Sequence, residues 1–151
     1  MAKPEVLSAH QLEQLWAEHL KGEFESKDVE ATLATMVEDA SVNHMPVNAG
    51  GKGKDALRLY YRDDFISSWP DDLEMLPVNR VIGEGQLVDE LRLSFTHSKP
   101  MPWFLPNLAP TLRKVVVDVV VVAQFRDGKL ACERIYWDHA NVLRQVGLLN
   151  A

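Results

Sequence analysis

The stretch VVVDVVVVAQFRDGKLACERIYW, residues 115–137, decides the fold. Val115 to Phe125 is β-branched and apolar with one early interruption, Asp118, and Lys129 to Trp137 resumes the strand pattern after Arg126-Asp127-Gly128. The three intervening residues make a short hairpin connection. The run Val115 to Val122 is apolar on both faces. One face can pack on helices, so the other needs a second cover, and a dimer interface is the simplest candidate.

Working upstream, Leu73 to Ile82 and Gln86 to His97 flank Gly83-Glu84-Gly85 as another hairpin. Between the two hairpins, Ser98 to Pro110 carries Pro at 100, 102, 106 and 110, yet also Met101, Trp103, Phe104 and Leu105. So apolar a loop either folds over a cavity mouth or packs against a partner chain. Downstream, Ala140 to Val146 forms a short helix closed by Gly147.

The N-terminal part is helical in period. Leu12, Leu15, Trp16, His19 and Leu20 recur on one face after a Ser8 cap, and Gly22 is expected to end this helix. A second helix starts near Asp28, with Val29, Leu33, Met36 and Val37 on its buried side. A brief extended piece follows from Ser41 to Pro46. The glycine-rich 48–53 stretch fits neither the dinucleotide fingerprint nor the P-loop, so it is expected to be an ordinary loop before a helix bearing Leu57, Tyr61 and Phe65 on one face. Helices followed by hairpins predict an α+β fold in which helices cover one face of a mostly antiparallel sheet.

Residues 1–151 are expected to form a single domain, by length and by the absence of any linker or repeat. Cys132 is the lone cysteine, which excludes an intrachain disulfide and any cysteine-based zinc framework and points to a reducing, cytoplasmic setting. No metal and no cofactor are expected. With 22 acidic against 16 basic residues and no basic stripe, a nucleic-acid partner is not expected. No run approaches the length of a membrane span, and no membrane partner is expected either.

Two groups of residues carry a family resemblance. Asp127-Gly128-Lys129, Glu133 to Asp138 and Val142 to Leu148 resemble the final strand and terminal helix of the SnoaL-like polyketide cyclase group, within the nuclear-transport-factor-2-like (NTF2-like) superfamily. Thr96-His97, Pro102-Trp103, Leu105-Pro106 and Pro110-Thr111 form a looser match. The resemblance implies a cone-shaped fold, with a curved sheet wrapped round N-terminal helices, an internal apolar pocket and frequent dimerisation through the sheet. Its members include cyclases, isomerases, dehydratases, epoxide hydrolases and non-catalytic binding domains, so the fold alone does not choose the function.

Three residues are the catalytic candidates. Asp138 stands where the last strand meets the last helix; the resemblance implies a general acid/base, and the alternative is a simple helix cap. His44 lies where ketosteroid isomerases of the superfamily place a carboxylate before a Pro, and an imidazole there serves as a base near neutral pH; the alternative is a solvent-facing His. His97 ends the row Leu91, Leu93, Phe95 and is either a pocket ligand or a core histidine. Tyr136, Trp103, Tyr61 and Phe95 are the candidates for contacting substrate, whereas His19 is assigned to packing or an interface. Asp118 needs a partner such as Arg92 or Arg134.

Departures from the relatives narrow the chemistry. Ser94 stands where an epoxide hydrolase's strand would carry Asp two residues after Arg92, and Pro110-Thr111-Leu112-Arg113 lacks the Gly expected after Thr. The sequence thus points to a cofactor-independent enzyme of cyclase, isomerase or lyase type, acting by general acid/base proton transfer on a small apolar carbonyl compound. The rival is a non-catalytic small-molecule-binding domain of the same fold.

Overall fold

Both hairpins form as the sequence predicts, and they supply four of the six strands. The computed structural model describes residues 1–3 and 5–150. In chain order the elements are α1 (Ala9–Phe24), α2 (Val29–Ala34), β1 (Met36–His44), β2 (Ala49–Lys52), α3 (Lys54–Leu59), β3 (Glu74–Gly83), β4 (Gln86–Thr96), β5 (Lys114–Arg126), β6 (Lys129–Trp137) and α4 (His139–Gln145). The strands make one curved, unclosed sheet in the order β2-β1-β6-β5-β4-β3. Only β1 and β6 run parallel.

The β5–β6 turn has Asp127 at φ 53° and Gly128 at φ 70°, the two positive values of a two-residue hairpin turn whose twist matches the strands. Strand parity then sorts the side chains. Val115, Val117, Val119, Val121 and Ala123 of β5 face inward and are buried, as do Glu133, Ile135 and Trp137 of β6. Helix α1 crosses this inner face, touching β3, β4 and β6. One contiguous core joins helices, sheet and the 98–110 loop.

Three boundaries differ from expectation. Helix α1 begins at Ser8 with a reciprocal capping box to Gln11 but continues through Gly22 to Phe24. Gly22 serves packing there: a Cβ would lie 2.6 Å from Thr32 Oγ1 where α2 crosses. Met36 and Val37 open β1 rather than close α2, because Thr35 caps that helix. The glycine-rich segment contributes β2, an edge strand on β1. Gly50 has φ +138°, and a Cβ would meet the Val42 carbonyl oxygen, so only glycine pairs this closely. Low strand propensity hid the strand.

The residue after Thr111 also acquires a physical meaning. Leu112 has φ 59° and is largely exposed, with its N–H donating to the His97 carbonyl at 2.9 Å. A left-handed conformation costs a non-glycine residue roughly 1–2 kcal/mol. Leu112→Gly is therefore expected to raise stability by up to about 1 kcal/mol, after subtracting the ~0.5–1 kcal/mol that glycine's extra unfolded-state entropy removes. Urea unfolding of the two proteins checks this; equal or lower midpoints for the glycine variant contradict it.

Candidate active site

The inner face of the sheet, α1 and the 98–110 loop enclose a cavity of ≈ 60 Å³. At roughly 10–15 Å³ per water it holds a few waters or a small organic group. Its walls are mainly apolar and aromatic, including Trp16, Phe24, Phe65, Trp69 and Trp103, but four polar side chains break them: His44, Tyr60, Glu23 and Glu133.

His44 ends β1 and is buried against the rings of Trp103, Phe65, Tyr60 and Trp137. Burial pushes its pKa down to about 3, so the imidazole is neutral and a weak base. Burial, reinforced by Glu23, Glu133 and Asp64, likewise holds the Tyr60 hydroxyl well above its usual range, so the phenol keeps its proton. The Tyr60 hydroxyl lies 2.5 Å from His44 Nε2, its only polar partner among the described residues, and donates to it. The ring's other proton is thereby placed on Nδ1, which is buried without a partner among the described residues. An unpaired buried donor is costly, and a ligand oxygen in the cavity would satisfy it.

A second cluster borders the same cavity. His19 and Glu23 sit one turn apart on α1, and Glu133 reaches them from β6. His19 Nε2 is 2.8 Å from Glu23 Oε1 and 3.2 Å from Glu133 Oε2, all three residues being buried. Burial alone would depress the His19 pKa, but the two carboxylates more than offset it and raise the value to about 10. Burial also pushes the Glu23 carboxyl upward, opposed by His19. The Tyr61 hydroxyl lies 3.5 Å from His19 Nε2, and Trp16 stacks on the His19 ring with centroids 5.6 Å apart. Trp16 is in turn fixed by its indole N–H, which donates to Asp89 at 2.8 Å, and Asp89 is held bidentately by Arg80.

Strand pairing brings the two polar groups near each other. Val42 pairs with Glu133 and His44 with Ile135 in the parallel β1–β6 ladder, so His44 and Glu133 are two positions apart on one inward face. Trp103 closes the cavity over them, its indole N–H donating to Ser68 Oγ at 2.8 Å. The apolar loop thus folds over the cavity, the first of its two expected roles.

The expected trio of His44, His97 and Asp138 does not converge. Of the three, only His44 borders the cavity, and its low pKa suits a hydrogen-bond donor better than the base it was expected to be. His97 is buried elsewhere: its Nδ1 accepts from the Thr111 N–H at 3.2 Å, and its backbone clips the two ends of the loop together. Asp138 is exposed and caps α4, its Oδ1 accepting from the Asn141 N–H at 3.0 Å. Asp138→Ala is accordingly expected to cost about 0.5–2 kcal/mol of stability and to leave turnover unchanged, as paired melting and activity measurements would show. A hundredfold loss of turnover in a folded Asp138→Ala protein contradicts this placement.

Trp103 does line the cavity, whereas the other three substrate-contact candidates do not. Tyr136 points to the outer face of the sheet, Tyr61 stands behind Glu23, and Phe95 packs into the core between Trp69 and Phe104. Parity explains Tyr136, since it alternates with the inward Ile135 and Trp137. Glu23, Glu133, Tyr60 and Asp89 escaped the sequence reading, and His19 was assigned to packing. One signal was present: His19 and Glu23 are an i,i+4 pair on the same apolar stripe as Leu12 and Trp16, where charge has no reason to be unless it is paired.

A curved sheet wrapped round N-terminal helices, with a polar-studded cavity between them, is the NTF2-like or ketosteroid-isomerase-like fold. The sequence matches the SnoaL-like polyketide cyclase family over residues 11–146, and the chain belongs to that family. Among solved structures it is similar to TsrD from Streptomyces laurentii, with TM-score 0.72, 19% identity and 95% and 99% of the two chains covered. An NTF2-like protein from Burkholderia pseudomallei K96243 superposes with TM-score 0.68 at 16% identity, covering 93% and 99%. The epoxide hydrolase/cyclase-like enzyme SalBIII, of pyran ring formation in the polyether salinomycin, gives TM-score 0.65 at 18% identity over 87% and 94%. No curated protein matches by sequence. Among the described residues, no helix is long and apolar enough to cross a membrane.

Proposed function

We propose that the protein catalyses proton transfer at a carbon next to a carbonyl, in a small and mostly apolar compound, leading to isomerisation, elimination or ring closure. The observation that carries this reading is that buried carboxylates and an unpartnered imidazole nitrogen border one apolar cavity. Glu23 takes the proton as the C–H bond breaks, and the electron pair moves onto the carbonyl oxygen. The enolate oxygen accepts a hydrogen bond from His44 Nδ1, with the Tyr60 hydroxyl holding that tautomer through Nε2. Return of the proton to another carbon isomerises the compound, whereas attack of the enolate on a second carbonyl closes a ring. A neutral imidazole suits this role because it donates without presenting a fixed positive charge to the bound ketone.

Deuterium exchange tests the reading. Acetone and butanone in D₂O, small enough for the cavity and followed by proton NMR, are expected to lose their α-protons faster with the wild-type protein than with His44→Phe. Exchange at the buffer rate with both proteins would favour the non-catalytic binding domain instead.

We also infer that the protein pairs with a second copy through the outer face of its sheet. Leu76, Val81, Val116 and Tyr136 are exposed there, around the Arg92–Asp118 ion pair, whose bidentate contacts are 2.7 and 2.9 Å. The half-buried free thiol of Cys132 fits a reducing cytoplasm. Sedimentation of the wild type against Val116→Glu reads the association directly; a monomer in both cases removes it.

A further inference from the structure

We propose that His19, Glu23 and Glu133 form a binding site for one divalent transition-metal ion of the zinc type, with an open coordination position towards the cavity. The three donor atoms lie within 4.8 Å of one another. Around a tetrahedral ion with bonds of roughly 2.0–2.2 Å, neighbouring ligand atoms are about 3.3–3.6 Å apart. The observed 2.8 and 3.2 Å from His19 Nε2 to the two carboxylates need only small adjustment to reach that spacing.

The surroundings prepare the imidazole for a metal. Thr35 Oγ1 donates its proton to the Thr32 carbonyl at 2.6 Å, so it accepts at 2.7 Å from His19 Nδ1. The Nε2 lone pair of the neutral ring is then directed at two carboxylate oxygens. A hydrogen-bonded second nitrogen that fixes the tautomer is the usual support of a metal-binding histidine. The stacked Trp16 holds the ring in place.

Charge balance points the same way. One divalent ion with two carboxylates and a neutral histidine sums to zero, so the buried cluster takes such an ion without leaving a net charge. One nitrogen and two carboxylates suit zinc-type ions rather than calcium, which takes six to eight oxygens. Access comes through the cavity that Glu23 and Glu133 line. The unpartnered His44 Nδ1 on the same cavity offers a hydrogen bond to a water in the open position. Metal occupancy engages Glu23, so it stops the proton transfer proposed above; binding itself does not depend on that reading.

Equilibrium dialysis of the full chain, cleared with chelator, against Zn²⁺ or Co²⁺ provides the test. One equivalent is expected to be retained, with the intense visible absorption of four- or five-coordinate Co²⁺. Glu133→Gln and His19→Gln are expected to weaken binding by more than about 100-fold, beyond the 10–100-fold typical of outer-sphere partners. His10→Gln, on the exposed face of α1, is expected to change nothing. If either ligand variant fails to fold, X-ray absorption of the wild-type Co²⁺ complex decides instead, with one nitrogen and two carboxylates expected in the coordination sphere. Less than one equivalent bound, equal affinity in folded ligand variants, or a sphere lacking histidine overturns the site.

Discussion

Replacing Glu23 with glutamine is expected to slow α-proton exchange by about 10²–10⁴-fold, the range that a positioned general base contributes. The substitution keeps the side chain's size and a carbonyl acceptor facing His19, and Glu133 remains as a counter-ion for His19. The fold should survive, so the loss falls on the chemical step rather than on the population of folded protein. Two readouts separate these cases: the exchange rate per folded molecule, and the far-ultraviolet circular dichroism. A Glu23→Gln protein that is folded and retains more than a tenth of the wild-type rate would sink the assignment of the base.

The same geometry ranks other variants. Tyr60→Phe leaves the His44 ring in place but removes the donor that sets its tautomer, so enolate stabilisation weakens while substrate binding through the apolar walls persists. Its effect belongs in kcat more than in KM. Glu133→Gln acts through His19 and the charge balance of the cluster.

Local rules made most of the fold legible. The two hairpins follow from alternating burial and short glycine-containing turns, and the Ser8 capping box announces α1. Long-range pairing was harder to see. Strand β1 is irregular, its register against β6 shifting between Met36 and Ser41, so its first half mimics a continued helix with Met36 and Val37 as apolar positions. The helical segment after α3 passes into a π-helical turn, Tyr60–Phe65, which turns both Tyr60 and Tyr61 inward. The three- and four-residue spacing of Leu57, Tyr61 and Phe65 singles out Tyr61 and leaves Tyr60, which reaches the cavity, beside the face.

The site was legible only in part for a related reason. His44 was found because an imidazole near a turn is conspicuous, and Trp103 because an apolar loop needs a purpose. Glu23, Glu133 and Asp89 look like ordinary surface carboxylates until the strand parity of Glu133 and Asp89 is set against the helical phase of Glu23. For Glu133 and Asp89 the inward direction is a tertiary fact, acceptable only because a partner, His19 or Arg80 with Trp16, arrives from a different element, whereas Glu23 meets His19 on its own helix. Asp138 was attractive for the opposite reason. The residue that joins a strand to a helix satisfies a capping rule whatever the protein does.

Acid should destabilise the protein through His44, and this is the second large effect expected. The folded-state pKa of about 3 lies well below the ordinary 6.5 that the unfolded chain regains. Between those values the unfolded chain binds a proton that the folded protein excludes, so stability rises with pH across the window and its His44 contribution is complete above about 6.5. The full span corresponds to on the order of 4–5 kcal/mol, a large share of the roughly 5–15 kcal/mol that holds a domain together. His19, with a folded value of about 10, adds no slope below about pH 5.5 and opposes the rise as pH nears and passes 6.5, where the unfolded chain loses a proton that the folded protein keeps; the wild type and the variant share this term. Glu23, raised by burial, opposes the slope, whereas His97 and His139, lowered by burial, reinforce it weakly. The wild type and His44→Phe, unfolded by urea at intervals from pH 4 to 7, isolate the His44 share: the variant loses Tyr60's acceptor at every pH, a constant offset, but should show a shallower rise. Parallel curves would mean that His44 titrates alike in the folded and unfolded chain, and the burial that is to keep it neutral through the acid range would not be felt by the ring.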